Sequence, residues 1–256
     1  MAGRSVFIAL AFLCLMATAP ALPQDSARIT IVPEKIRIGL FYGGQRVQIR
    51  AAAPADCAVV MKISGKSQDL TLKVKGQKGG ILWMNVGEVA YHSVPSLWIV
   101  RSSRPLGSLC PPHVLETLGL GYGALATQVV SGKDDQGRVF FGELVKLKQK
   151  ERLFSIEEDG VQSSPIGLGF QEASTAFFLP PKAQTGSYRV EVFTFKDGQG
   201  TLLGAGSFDL EFSSSTAFIS NLAAKQGLLF GCLAAAIAII AGLGTGYIFG
   251  GKGETH

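Results

Sequence analysis

The stretch RVQIRA, residues 46–51, alternates strictly between apolar and polar side chains. In an extended chain Val47, Ile49 and Ala51 fall on one side, and the arginines and the glutamine fall on the other. The same period of two recurs in DLTLKVK, residues 69–75. Alternation of this kind predicts β-strands with one buried face and one face in water.

The predicted strands continue along most of the chain, with turn residues such as Gly43-Gly44 and Pro54-Ala55-Asp56 between them. About seven short strands at this spacing are typical of an immunoglobulin-like β-sandwich, which we predict for residues 22–104. Residues 158–212 are predicted to be a second β module that completes the ectodomain, either as a small sandwich of its own or as the missing sheet of the first. Within it, Asp197-Gly198 predicts a hairpin turn.

The segment between these two regions, residues 105–157, is predicted to be a helical insertion. Its first part, HVLETLGLGYGALATQVV, is rich in glycine, which weakens a helix. Its second part, residues 139–156, repeats large apolar residues at helical spacing. We expect an amphipathic helix packed on the β scaffold through Phe140, Leu144, Leu147 and Phe154.

The start of the chain has the features of a secretory signal peptide, which we place at residues 1–21. Arg4 precedes an apolar run from Val6 to Ala17, and Ala19-Pro20-Ala21 fits a cleavage site. The run is short for a bilayer span. We therefore expect export of the following residues, with an uncleaved anchor as the alternative.

The other apolar block, residues 227–251, carries no charged residue. Roughly 20 apolar residues are enough to cross the bilayer as a helix. We predict a linker at 213–226, a transmembrane helix at 227–250 and a cytoplasmic tail at 251–256. Together with an exported ectodomain, this predicts a single-pass protein of the bacterial inner membrane whose ectodomain lies in the periplasm.

Small residues recur at every fourth position of the predicted transmembrane helix. Such a ridge lets a second helix approach closely, although glycine and alanine are common in membrane helices in any case. We predict a helix-association face that contacts a membrane-protein partner or a second copy of the chain. It consists of Ala234, Ala238, Gly242, Gly246 and Gly250.

Both tryptophans, Trp83 and Trp98, lie within predicted strands. A tryptophan in the middle of a strand usually supplies core area, about 150–250 Å². We therefore predict that both pack in the core, and stacking on a ligand is the alternative.

Cys57 and Cys110 are the two cysteines expected in the exported region, because Cys14 belongs to the signal peptide and Cys232 to the span. In an oxidising compartment they are candidates for a disulfide. A redox-active pair is disfavoured because the C-x-x-C motif is missing.

Little else in the sequence indicates a catalytic or metal site. His92 and His113 are far apart in the chain, and the acidic turn Glu157–Gly160 has no further ligands near it. No nucleotide-binding, hydrolase or zinc motif is present. We predict no cofactor and no bound metal.

Basic residues outnumber acidic ones between residues 22 and 104, within an overall net charge of +5. Their lysines are interpreted as the solvated face of a sheet, and an anionic partner, either lipid headgroups or an acidic protein, is the alternative. Nucleic acid is disfavoured by the modest charge and the expected export. The cluster consists of Lys62, Lys66, Lys73, Lys75 and Lys78.

The combination of a signal peptide, GGILWMNVG, VPSLWIV, GELVKLKQKERLFSIEEDGV, GSYRVEVFTFKDG and one terminal membrane helix resembles a family of alphaproteobacteria known as putative transmembrane proteins. The resemblance covers nearly the whole mature chain. It implies a single-span envelope protein. Some members of the family are encoded near permeases of the sulfite-exporter type, which implies a transporter as partner. The family has no assigned functional residues to carry over.

Three functions follow from these features. The first is a non-enzymatic scaffold or accessory subunit of a membrane complex, for example of a transporter. The second is an extracytoplasmic module that binds a ligand on its basic sheet face. The third and least favoured is an enzyme whose site combines Asn85, Glu88 and His92.

Overall fold

The structure is a computed structural model and describes residues 29–39, 41–78, 82–129, 135–213 and 227–250. It is mainly β, as predicted, with several sheets and one apolar C-terminal helix. The predicted signal peptide, most of the linker and the tail lie outside the described residues.

Two sheets form the main body. The first has the order β1 (Ile29–Val32), β3 (Gln45–Pro54), β10 (Phe170–Leu179), β9 (Gln162–Gly167). The second has the order β2 (Lys35–Ile38), β12 (Gln199–Phe212), β11 (Gly186–Lys196), β4 (Ala58–Ser64), β7 (Trp98–Ser102), β8 (Phe154–Glu157).

The two sheets face each other across one apolar core. On β3 the alternation of RVQIRA is confirmed, because Val47, Ile49 and Ala51 are each at most 1% exposed. Across the core, the ring of Phe177 on β10 lies 6.1 Å from that of Phe208 on β12, centroid to centroid. Burial of this apolar area is the main force that holds the sheets together.

Both sheets combine strands from before and after the helical insertion. β3 pairs with β10, and β4 pairs with β11, so residues 158–212 complete the sandwich instead of folding separately. The orders β1-β3-β10-β9 and β12-β11-β4-β7 are those of strands A-B-E-D and G-F-C-C′ in immunoglobulin domains. One departure is that β8 runs parallel to β7. The helices between β7 and β8 return the chain to the end of the sheet at which β7 begins, so β8 runs in the same direction as β7.

The helical insertion contains four helices, whose bounds are α1 (Leu106–Leu109), α2 (Pro112–Thr117), α3 (Tyr122–Val129) and α4 (Asp135–Lys150). Gly119 stops α2: its φ is +68°, and Leu120 N–H donates to the carbonyl of Leu115 at 2.8 Å. This is the hydrogen bond of a Schellman C-cap.

The prediction of one helix through residue 156 was wrong at its C-terminal end. Arg152, with φ of +59°, ends α4 through a second Schellman cap, in which Leu153 N–H donates to Lys148 O at 2.9 Å. Phe154 therefore lies in β8, where it is 1% exposed. Leu144 is buried against the scaffold as predicted, whereas Leu147 is 43% exposed.

The third sheet is a long hairpin, which we call the arm: β5 (Ser67–Lys78) and β6 (Leu82–Pro95). It continues the β4–β7 ladder, because Gly65 N–H donates to Leu97 O and Ser96 N–H donates to Lys66 O, both at 2.9 Å. The stretch DLTLKVK thus belongs to the arm and not to the sandwich. Its half-buried Leu72 and Val74 lie beside Phe140 of α4.

Gly65 lies where the arm leaves the sandwich. A Cβ at this position would lie 2.9 Å from the ring of Tyr188 and 3.0 Å from the backbone nitrogen of Leu97. These distances are shorter than real carbon contacts, so only glycine lets the chain pass here without displacing its neighbours. Trp98 begins β7 beside this junction and packs against Tyr122 and Phe154.

The C-terminal helix α5 (Gly227–Gly250) follows the linker. By length and composition it can cross a membrane, and no residue of its Phe230–Tyr247 window is buried by the rest of the chain. Within this window the hydroxyl of Thr245 donates to the carbonyls of Ala241 and Gly242 at 3.0 Å each. The hydroxyl is thereby satisfied inside the helix, as hydrocarbon surroundings require.

Candidate functional site

The residues considered for catalysis are spread over exposed surface. Asn85, Glu88 and His92 all lie on β6 of the arm and are exposed, and His92 Nδ1 is 3.4 Å from Asp69 Oδ2. His113 lies on α2. Among the residues that the structure describes, no group of three or more His, Cys, Asp or Glu side chains could hold a metal ion.

The acidic turn Glu157–Gly160 has structural contacts. Glu157 forms an ion pair with Arg101 of β7, and Glu158 Oε1 accepts a hydrogen bond from the backbone nitrogen of Leu106 at 3.1 Å. The second contact satisfies a donor at the start of α1. This turn therefore attaches the helical insertion to the sandwich.

Cys57 and Cys110 are both free thiols in the structure, so the candidate disulfide is absent from it. Burial raises the pKa of the Cys57 thiol, and the hydrogen bond to Asp56 raises it further. Burial also raises the pKa of Cys110. Since the thiolate is the reactive form, both thiols are poor nucleophiles at neutral pH.

The structure describes the side chain of only one of the two tryptophans. Trp98 is 2% exposed and lies in the core, as predicted; its ring centroid is 5.2 Å from that of Tyr122 and 6.2 Å from that of Phe154. Trp83 pairs with Gln77 in the arm, but its side chain lies outside the described residues. Its predicted place in the core stays a prediction.

The predicted lysine cluster divides into two groups. Lys62 is not solvated: its Nζ is 3.0 Å from Glu191 Oε2, both side chains are less than a fifth exposed, and Gly119 lies above it. Lys73 and Lys75 are exposed on the arm, and Lys66 is exposed just before β5; the side chain of Lys78 lies outside the described residues. Sequence alternation could not separate them, because both groups lie on predicted outward faces and only the crossing of the α2–α3 turn covers Lys62.

The sandwich has two distinct ends. We define the linker end as the one where β12 finishes at Phe212, and the distal end as the opposite one, where β11 and β12 are joined by Asp197-Gly198. Positive φ at both turn residues confirms the predicted hairpin turn. The structure thus defines which surfaces face toward and away from the linker.

At the distal end, the β9–β10 hairpin presents an apolar tip that we call the Leu168 tip: Ile166, Leu168 and Phe170. Leu168 is fully exposed and the other two are at least half exposed. Leu168 also has φ of +52°, between Gly167 and Gly169, whose φ values are positive as well. A left-handed conformation costs a leucine roughly 1–2 kcal/mol.

Hydrogen bonds fix the base of the Leu168 tip. Gly169 O accepts from the backbone nitrogen of Ala55 at 2.8 Å, and Gln171 Nε2 donates to the carbonyls of Pro54 and Cys57 at 2.8 and 2.7 Å. Beside them Lys196 pairs with Asp56, and this hydrogen bond lowers the pKa of the Asp56 carboxyl. The tip is therefore held on a rigid base.

The Leu168 tip was not predicted from the sequence. The available signal was GLG between two alternating stretches, which indicates a turn with positive φ values. The exposure of all three apolar side chains depends on the register of β9 against β10, which shifts between Phe170 and Gln171. The hydrophobic pattern of the sequence does not predict that shift.

A shallow cavity of about 230 Å³ lies between the arm and α4. Leu72, Val74 and Phe140 form its apolar wall, and Lys73, Lys75 and Glu143 border it. The cavity is partly open to solvent.

The helix-association face on α5 is open. Nothing lies within 4 Å of a Cβ placed on Gly242 or Gly246, and Ala234 and Ala238 are exposed. Gly250 is the last residue of the helix. Association through this face stays a prediction, because the structure holds a single chain.

A mainly β body joined to one uncovered apolar helix is the architecture of a single-pass membrane protein. The family model described as "Putative transmembrane protein (Alph_Pro_TM)" matches residues 28–250, and the chain belongs to this family. The predicted membership is thereby confirmed. No curated protein matches the chain.

Proposed function

We propose that this protein is a non-enzymatic accessory subunit of a membrane complex, anchored in the bacterial inner membrane by α5, with its β body in the periplasm. The body acts as a scaffold that contacts a protein partner at the distal end. A transporter is the kind of partner that the family resemblance implies. Export depends on residues 1–21, which act as the signal peptide.

The observation that carries this proposal is the Leu168 tip. A strained and fully exposed leucine does not stabilise the folded chain by itself. Glycine at position 168 would adopt the same backbone conformation without strain, and no buried apolar area would be lost. The benefit of the leucine lies in presenting an apolar side chain. We therefore propose that Leu168 inserts into an apolar pocket of the partner, with Ile166 and Phe170 packed around it.

Energetics support a contact of useful strength. Complete burial of a leucine side chain contributes about 1.5–3 kcal/mol, which is roughly ten- to hundredfold in affinity. Hydrogen bonds from Ala55 and Gln171 already hold the turn, so little flexibility is lost on binding. Anchorage by α5 in the same bilayer as the partner raises the effective concentration further.

The helix-association face supplies a second proposed contact, within the bilayer. Its small residues would let a partner helix approach to backbone distance. Whether that helix belongs to a multispan protein or to a second copy of this chain is decided by the experiment below.

The test is photo-crosslinking in native membranes, with a photoreactive amino acid at position 168 of the full chain. We expect a specific adduct with a membrane-complex protein. We also expect the variant L168S to reduce co-purification of that protein in mild detergent about tenfold. The matched control is L202S, because Leu202 is also about half exposed, at 52%, but lies on β12 in the other sheet. G246L reports separately on the face in the bilayer.

Three outcomes would contradict the proposal. If L168S and L202S recovered equal amounts of the partner protein, the Leu168 tip would not be part of the interface. Adducts with only a second copy of the chain would replace the partner with a homodimer. Substrate turnover that is lost with His92→Ala would favour the enzyme hypothesis instead.

A further inference from the structure

We propose that the arm binds anionic lipid headgroups of the bilayer that holds α5, through the lysines of its outer face. The inference rests on the proposed function for one point only, that α5 is anchored in that bilayer. It makes the arm a second, peripheral attachment that orients the sandwich relative to the membrane.

The first argument is the direction in which the arm leaves the sandwich. Register pairs Ser64 at the end of β4 with Arg189 and with Trp98 at the start of β7, and pairs Gly186 at the start of β11 with Leu210. All these strand ends lie at the linker end. The arm therefore starts at the end of the body from which the chain continues toward the membrane.

The second argument is length. At about 3.3 Å per residue, the strand from Ser64 to Lys78 can extend about 45 Å. On β12, Ser207 lies level with Ser64 through their shared partner Arg189, so Phe212 lies only about 17 Å beyond that level. A ladder of this length that continues in the direction of β4 would reach about 30 Å further than the end of β12. The linker at 213–226 can span up to roughly 46–50 Å, so both can meet one bilayer surface.

The third argument is the chemistry of the arm. Thr71, Lys73, Lys75 and Gln77 are exposed on one face of β5. Lys75 lies opposite the uncharged Asn85, and Glu88, opposite Lys73, is the acidic residue of β6. The outer part of this face is therefore net basic, as an anionic headgroup surface requires.

Apolar residues accompany the charge near the far end of the arm. Met84, opposite Gly76, is 38% exposed. Leu82 and Trp83 precede it in the sequence, and their strand positions are opposite Lys78 and Gln77. Lysine together with tryptophan and aliphatic residues is the composition of segments that settle in the headgroup region.

An acidic protein is the competing occupant, and the geometry favours lipid. A basic, partly apolar surface at the far end of a projection toward the bilayer meets headgroups before any other partner. Each lysine strengthens the contact only about fivefold, but the anchor keeps the arm near the surface at all times. A weak contact is therefore sufficient.

The experiment uses the full chain in lipid nanodiscs and quenching of its tryptophan fluorescence by lipids with brominated acyl chains. Trp98 is buried in the core and far from the arm's outer part, so W83F assigns the quenched signal to Trp83. We expect quenching of Trp83 in discs that contain phosphatidylglycerol and much less in pure phosphatidylcholine. Rising salt should weaken it, because exposed charges are screened.

The charge variant is K73Q/K75Q, which should lower the equilibrium for docking about 30-fold, or about fivefold for each lysine. Its matched control is R46Q/R50Q, which removes the same charge from exposed positions of β3 in the sandwich. The control should quench like the original chain. Equal loss in both variants would show a nonspecific effect of net charge and would overturn the inference.

Other results separate this inference from the proposed function. Stable incorporation into nanodiscs without any quenching of Trp83 would overturn the arm contact and leave the anchor intact. Equal quenching in neutral and anionic discs would contradict binding of anionic headgroups. A change of Trp83 emission in native membranes, with no quenching in brominated anionic discs, would assign the arm to a protein partner. Failure to incorporate into the discs would contradict both proposals.

Discussion

The ring of Tyr188 on β11 stacks on that of Phe208 on β12, with centroids 5.1 Å apart and planes 9° from parallel. The Tyr188 hydroxyl donates to the backbone carbonyl of Gln184, four residues earlier. A tyrosine that bonds back in this way near the start of strand F is a hallmark of immunoglobulin-type sandwiches. This one side chain therefore ties the loop between β10 and β11 to the core.

Tyr188 predicts how stability depends on alkaline pH. Burial, with a smaller effect of Tyr42, raises its pKa from 10.0 to about 12. Between these values the unfolded chain loses the proton and the folded chain keeps it, so the free energy of unfolding falls as the pH rises. It is unaffected below about pH 10, and the total loss is roughly 2–3 kcal/mol.

Urea unfolding at a series of pH values, with tyrosinate absorbance as a second signal, measures this effect. The variant Y188F should lack the Tyr188 part of the alkaline loss and should be about 1 kcal/mol less stable at neutral pH, because its hydrogen bond is missing. An unchanged alkaline profile in Y188F would contradict the assignment.

The ion pair between Lys62 and Glu191 predicts a large cost when one partner is removed. Both side chains are less than a fifth exposed, and Gly119 of the α2–α3 turn lies against the Lys62 ammonium group. K62M leaves Glu191 with only the exposed Arg189 as partner, and we expect a loss of about 1–3 kcal/mol. Urea unfolding of the full chain measures it.

The matched control is the exposed pair of Lys146 and Glu143, 2.8 Å apart on α4. K146M should change the free energy of unfolding by no more than about 0.5 kcal/mol. Similar losses in K62M and K146M would show that Lys62 is solvated, as the sequence analysis supposed.

The free thiols predict slow alkylation. Cys110 is 6% exposed and Cys57 half-buried, and burial raises both pKa values. In the folded protein we expect Cys57 to react before Cys110, and both to react faster as the pH rises. Mass spectrometry after alkylation in denaturant without reductant counts the thiols directly. A mass lower by two hydrogens, with neither cysteine alkylated, would show the disulfide instead.

The sequence pattern was sufficient for elements whose structure depends only on residues close in the chain. Val47, Ile49 and Ala51 face the core because a strand alternates, and α5 is apolar on every face because its surroundings are. The Asp197-Gly198 turn likewise follows from two residues that accept positive φ.

The sequence pattern was insufficient where the position of a residue depends on an element that is distant in the chain. DLTLKVK alternates in the same way whether its partner is a sandwich strand or β6 of the arm, so the sequence could not place it. Phe154 continues a helical period, yet the cap at Arg152 and pairing with β7 put it in a strand. The burial of Lys62 and the exposure of Leu168 depend on packing and register between remote segments.

Everything proposed for the two ends of the body depends on α5 holding the chain in a bilayer. Extraction of membranes with alkaline carbonate tests this most directly, with I237K/I240K as a control whose helix should insert poorly. We predict that the full chain stays in the membrane pellet and that the control is released. Release of the unaltered chain into the supernatant would contradict the account.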